Sequence, residues 1–468
     1  MSHKSSLLAI LIAPLLFSMT PRAAMPRDVT AYEGTAYAVT RGGAWHKTRS
    51  NTPTNGIIRT WLSADGLFDY YKTCTSYSAQ PGGDHFNGFI GAVYSAQDMG
   101  GAETSGVPRR ATGSIQLEAP SPKPIVGAIR WDAWTEWGYF QQFLQPKEWH
   151  DRLPFFAKSL QNGSVEVRCD SQDVMEKEIA YAKQAGLDYW AFDWYHPGSK
   201  PAKNFMTCCL ELYLASPHRA DINYCLVLLA GGDGTNGDFH LGSKEEWPAT
   251  TDYLVQRFSD ANYQKVLGNR PLAYFFETEN WMPLWGSRDA VQGAWKLLAD
   301  KCVAKGLGKP YIAVLVFDPA TGERLLDEHG LDAISAYANP GANDNREQPY
   351  TALAAQNRWF WDACVPTGRK FIPTVNAGWD YRPEKNHGFS WRNPEADWFT
   401  PPTPEELANH LKSAVEWVRT HPGSCDANAV LIYAWNELNE GGWLVPTLKE
   451  GTARVEALRG VLRPEMDN

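Results

Sequence analysis

Eight short apolar runs recur along the chain, at 125–131, 187–194, 222–230, 271–276, 311–317, 333–337, 371–376 and 429–435. Helical stretches lie between most of them, at 171–185, 205–214, 245–258, 288–305, 350–363 and 404–420. Apolar runs this short, lacking polar alternation, suit strands buried on both faces. Parallel neighbours need long crossovers, which the intervening stretches supply. Few architectures accept such a chain. The pattern predicts an α/β fold: a (β/α)8 TIM barrel over residues 125–464 rather than an open sheet. No G-x-G-x-x-G follows the first run, which argues against a dinucleotide-binding sheet.

A barrel of this kind keeps its chemistry just beyond the C-terminal ends of its strands. Polar residues collect there. Asp132 and Trp134 follow the first run, Asp193, Tyr195 and His196 the second, and Asp233 the third. Glu277 and Glu279 follow the fourth, Asp318 the fifth, Asn339 the sixth, and Asn376, Trp379 and Asp380 the seventh. Asp193, within AFDWYH, either contacts a substrate or orients a loop. Glu277 is the better candidate of its pair, against a structural ion pair.

The eighth run leads into the densest chemistry, Trp435, Asn436, Glu437, Asn439, Glu440, Gly441, Gly442 and Trp443. Two glutamates this close converge on one cleft as the chain bends out of a strand, and flat indole faces suit the C–H face of a sugar ring. Cleaving a glycosidic bond takes a proton for the departing oxygen and negative charge at the sugar centre, commonly from two carboxyl groups. Glu437 and Glu440 are therefore the catalytic candidates. Asp132, Trp134, Asp193, Tyr195, His196, Glu277, Asn376, Trp379, Trp435, Asn436 and Trp443 are the substrate-binding candidates.

The stretch resembles the W-N-E-x-x-E signature of glycoside hydrolase family 99 and the WbsX-type proteins grouped with it. Trp435, Asn436, Glu437 and Glu440 match, and Gly441 fits the glycine that follows. Leu438-Asn439 stands where Trp-Gly or Trp-His is usual, and Val445-Pro446-Thr447 where a Glu-Pro ending is usual. The resemblance implies that Glu437 helps remove the proton of a sugar 2-hydroxyl, which attacks the anomeric carbon to give a 1,2-anhydro sugar. It implies that Glu440 serves as acid and then base at the anomeric oxygen. Direct attack by another carboxylate is the alternative. The WbsX name has also been given to glycosyltransferases, which would need a nucleotide-sugar donor. A catalytically silent glycan-binding protein is a third class.

The N-terminal part follows a different pattern. Lys4 precedes an apolar run at 7–17, with Ala23-Ala24 in the cleavage zone, so residues 1–24 are expected to be a signal peptide of an exported protein. Residues 30–118 read as a small β-rich module, with runs at 34–40, 57–62 and 89–96 split by Asn55-Gly56, Gly82-Gly83 and Asn87-Gly88. Trp45 and Trp61 suggest carbohydrate binding there, against a packing extension of the barrel. The Pro-rich stretch 119–124 reads as a stiff linker.

A net charge of −9 without a Lys/Arg run argues against nucleic acid and anionic membranes. No later run approaches transmembrane length. Twenty tryptophans exceed what a core of this size normally uses, consistent with a carbohydrate substrate as the partner. Eight cysteines, at 74, 169, 208, 209, 225, 302, 364 and 425, permit disulfides in an exported chain, but none has C-x-x-C spacing. Cys225, inside an apolar run, reads as a buried thiol. Gly231 to Asp238 lacks EF-hand spacing, and His196, His240 and His387 form no H-x-x-x-H pair. No metal or cofactor is expected. No G-x-S-x-G elbow supports serine hydrolysis.

Overall fold

The structure is a computed structural model. It describes residues 123–230, 240–276, 281–339, 341, 344–387 and 396–463, with four short strands earlier in the chain. The chain divides into two compact units, Met1–Ser121 and Pro122–Asn468. In the first, Tyr37–Val39 pairs antiparallel with Trp45–Lys47, and Ile58–Leu62 with Phe68–Lys72. These strands take in two of the three expected runs and both Trp45 and Trp61. The run at 89–96 lies outside the described residues, as do the loop 231–238, Glu277 and Glu279.

The second unit is built on parallel strands: β1 (Ile125–Arg130), β2 (Tyr189–Trp194), β3 (Asn223–Leu229), β4 (Arg270–Phe276), β5 (Tyr311–Leu315), β6 (Ala333–Ser335) and β8 (Ala429–Tyr433). Between the last two comes β7, in two pieces, Lys370–Phe371 and Thr374–Asn376. The sheet runs from the first piece of β7 through β6, β5, β4, β3, β2, β1 and β8 to the second piece of β7. Both ends of the sheet thus lie on one stretch of chain. Pro373 explains the break, since it has no N–H to donate to the ladder. On either side of it, Ile372 N–H donates to the Ile334 carbonyl and the Pro373 carbonyl accepts from Leu431 N–H, at 2.9 Å each. The result is a curled, TIM-barrel-like parallel sheet. An antiparallel hairpin, Lys265–Val266, leads into β4.

Helices α1 (Gln172–Ala185), α2 (Cys208–Ala215), α3 (Trp247–Phe258), α4 (Arg288–Ala304), α5 (Pro319–His329), α6 (Tyr350–Cys364), α7 (Pro404–Thr420) and α8 (Ala453–Leu462) complete the fold. Every residue of β2, β5 and β8 is buried, as parallel strands covered on both faces must be. Capping fixes several helix starts. In α7, the Thr403 hydroxyl accepts from Glu406 N–H while the Glu406 carboxylate accepts from Thr403 N–H, with Pro404 in the first turn.

Helix α5 was not among the expected helices. Its start is marked by Asp318, whose carboxylate accepts from Thr321 N–H at 2.9 Å, and its end by Gly330 at φ 70°. Asp318, taken from sequence as a strand-end acid, is the N-cap of this helix. Both roles put a polar residue directly after an apolar run, so local sequence does not separate them. Among the described residues, no helix is long and apolar enough to cross a membrane.

Candidate active site

The acid motif leaves β8 through a tight antiparallel turn. Asn436–Glu437 pairs with Gly442–Trp443, and a single 3-10 turn, Leu438–Glu440, joins them. Gly441 closes that turn at φ 82°, where a β-carbon would lie 2.5 Å from Asp380 N. Across from it, a β-carbon on Gly378 would lie 2.1 Å from the Gly441 carbonyl oxygen. Only glycine at both positions lets the loops after β7 and β8 cross this closely.

Two buried arginines from distant parts of the chain clamp that crossing. Arg152 donates to the Asp380 carbonyl at 2.8 Å and the Leu438 carbonyl at 3.3 Å, and pairs with the Asp380 carboxylate. Arg454 donates to the Ala377 carbonyl at 3.0 Å and the Trp443 carbonyl at 2.9 Å, its guanidinium 4.0 Å from the Trp443 ring centre. Arg382 completes the set with bonds of 2.8 and 2.9 Å to the Asp380 carboxylate.

Within this frame three carboxyl groups and two tyrosines come together. The Tyr337 hydroxyl, just past β6, lies 2.7 Å from Asp193 Oδ2 and 2.6 Å from Glu437 Oε1. The Tyr433 hydroxyl donates to Glu440 Oε2. The two tyrosine rings are 5.5 Å apart, so the Asp193–Tyr337–Glu437 group and the Tyr433–Glu440 pair are neighbours. Phe276 stacks on Tyr337 at 5.2 Å, and Trp379 packs on Tyr433 at 5.9 Å.

Proton counting constrains this arrangement. A phenol carries one proton and cannot donate to two carboxylates at once. Burial pushes the Asp193 carboxyl up to about 8, against the opposing effect of its bond to Tyr337, so it is protonated at neutral pH. With Asp193 protonated, its proton can go to the Tyr337 oxygen, which leaves the Tyr337 proton for Glu437. Glu437 is thereby held as an acceptor although it is only 2% exposed.

The other sequence candidates divide between lining and support. The Asn436 amide is used by the backbone of Trp131: its Oδ1 accepts from Trp131 N–H at 2.9 Å and its Nδ2 donates to the Trp131 carbonyl at 2.7 Å. The Trp134 indole donates to the Asn436 carbonyl at 2.9 Å. Trp435 is fully buried, donates to Glu178 of α1 at 2.9 Å and packs on Trp190. Asp132 accepts from Arg130 Nε at 3.1 Å, while Arg130 Nη2 bonds Glu178 at 2.8 Å. Trp443 lies against Arg454. These five residues hold the motif from beneath.

Tyr195 accepts from the Trp131 indole at 2.9 Å and lines a pocket of about 240 Å3 with Trp194, Glu211 and Tyr253. His196 packs against His240, with ring centres 5.2 Å apart. Asn376 is fully buried at the end of β7, opposite Tyr433 in register, and its side-chain amide has no partner among the described residues. Tyr337, Tyr433, Arg152 and Arg454 were missed from sequence. For the tyrosines a signal existed: Tyr337 ends an apolar run and Tyr433 lies near the end of another, and alternation along β8 puts Tyr433 on the same face as Leu431. Arg152 carries none, since its partners lie more than 200 positions away, and the one local partner of Arg454, Glu450, reads as an ordinary surface pair.

No match was found among curated protein sequences. Among solved structures, the chain is similar to the GH99 endo-alpha-mannosidase from Bacteroides thetaiotaomicron, at 13% identity over 73% of this chain and 96% of that one, with a TM-score of 0.44. It is also similar to a protein described as glycoside hydrolase-like, at 14% identity over 75% and 97%, TM-score 0.48. A third is the exo-beta-1,4-mannosidase Op5Man5 from Opitutaceae bacterium strain TAV5, at 10% identity over 75% and 61%, TM-score 0.41. The family model described as Glycosyltransferase WbsX matches residues 167–458, a span that includes Asp193, Tyr337, Tyr433 and the acid motif, and the chain belongs to that family.

Proposed function

We propose that the protein is a glycoside hydrolase acting on a polysaccharide or glycan, with Glu437 and Glu440 as its catalytic pair at the mouth of a closed (β/α)8 barrel. The observation that carries this reading is the joined group of Asp193, Tyr337, Glu437, Tyr433 and Glu440 at the C-terminal end of the sheet. Glu437, kept as an acceptor, takes the proton of the sugar 2-hydroxyl as that oxygen attacks the anomeric carbon. Glu440 gives its proton to the departing glycosidic oxygen, whose bond to the anomeric carbon breaks. Water then adds at the anomeric carbon and opens the three-membered ring. Glu440 takes the proton from water and Glu437 returns one to the 2-oxygen, so both acids regain their starting states.

A transferase reading is favoured by one observation, the description of the family itself. One experiment separates the two. Wild type and Glu440→Gln are incubated with a panel of polysaccharides, and separately with nucleotide sugars, and released sugar is measured. The hydrolase reading expects sugar release from a polysaccharide by the wild type alone. Turnover of a nucleotide sugar without polysaccharide cleavage would establish the transferase instead.

A further inference from the structure

Behind the acid motif, three cysteine sulfurs lie in a row that the proposed chemistry does not use. Cys169 Sγ is 3.4 Å from Cys209 Sγ, and Cys208 Sγ is 3.9 Å from Cys209 Sγ. Cys169 and Cys209 are fully buried, whereas Cys208 is half-buried. Cys169 stands just ahead of α1 and Cys209 in the first turn of α2, so the pair spans two crossovers. A bonded pair needs the sulfurs at about 2.05 Å, a short approach from their present separation.

We propose that Cys169 and Cys209 are a disulfide-forming pair, oxidised by a disulfide-bearing oxidant, that staples the segment before α1 to α2. In the net step two thiols lose two protons and two electrons to form one S–S bond, and the oxidant's disulfide takes them up to become two thiols. Hydrogen bonds from Cys169 and Cys208 pull the Cys209 thiol down, which favours it as the attacking sulfur.

The staple bears on the acid motif through one residue. Cys169 N–H donates to the Trp134 carbonyl at 2.8 Å, a bond that oxidation leaves in place, and the Trp134 indole bonds the carbonyl of Asn436, next to Glu437. Fixing Cys169 therefore fixes the segment that supports the start of the motif.

The test uses the full chain incubated with oxidised glutathione, then denatured, alkylated and digested for mass spectrometry. The expected product is a linked Cys169–Cys209 peptide pair, lighter by two hydrogen atoms than the two free peptides and lost on reduction. The melting temperature should fall by roughly 3–6 °C on reduction. Cys208→Ser should leave the linkage in place. Complete alkylation of Cys169 and Cys209 after oxidation would overturn the proposal. So would a Cys208–Cys209 linkage as the sole product, or release of a soft metal ion held between the thiols.

Discussion

At the scale of single residues, Asp193 makes the most specific demand. Its carboxyl is held up to about 8 by burial, while an exposed aspartate titrates at about 3.9. Between those values only the folded state keeps the proton, so this group's contribution to stability declines as pH rises, and the decline ends above about 8. Asp193→Asn should flatten that slope, as melting temperature against pH would show; an unchanged slope would rule out a protonated Asp193. Ionisation above about 8 also sets two carboxylates against one phenol, so activity should fall on that limb in the wild type and less in the variant. Tyr337→Phe leaves both acids without their shared partner, and turnover should drop roughly 10–100-fold. Neither effect was visible in sequence. Asp193 stood out as an acid at the end of an apolar run, and lies within β2, but its partner is 144 positions away and shares no local pattern with it.

At the scale of elements, the loops that carry the acids are held by charge buried beneath them. Arg130 of β1 ties Asp132 to Glu178 of α1, and Glu178 in turn accepts from Trp435. Removing one partner of a buried ion pair leaves the other uncompensated, at a cost of about 3–5 kcal/mol. Arg130→Met should lower unfolding stability by that order in denaturant titration, and a midpoint equal to wild type would show that the cluster contributes nothing. The strands themselves were legible because apolar runs of this length have one use in an alternating chain. Neighbouring motif residues were harder to sort: Trp435, Asn436 and Glu437 are consecutive, yet the first two support the turn and the third joins Tyr337. Helix α5 was lost because its cap, Asp318, carries the same local signal as a strand-end acid.

For the whole molecule, the buried apolar residues described in Pro122–Asn468 form one continuous core. Residues 122–468 produced alone should unfold in a single cooperative step; aggregation or a broad transition would show that Met1–Ser121 completes the core. The overall order of strands was readable because each crossover lies between two apolar runs, whereas the break of the seventh strand at Pro373 was not. The central claim is that Glu440 protonates a departing glycosidic oxygen. It is tested most directly by comparing turnover of Glu440→Gln and wild type on a natural glycan and on an aryl glycoside with a good leaving group. The account predicts a loss of about 10²–10⁴-fold on the glycan and a much smaller one on the aryl glycoside, which departs with little protonation. Full activity of the variant on the glycan, or an equal loss on both substrates, would contradict it.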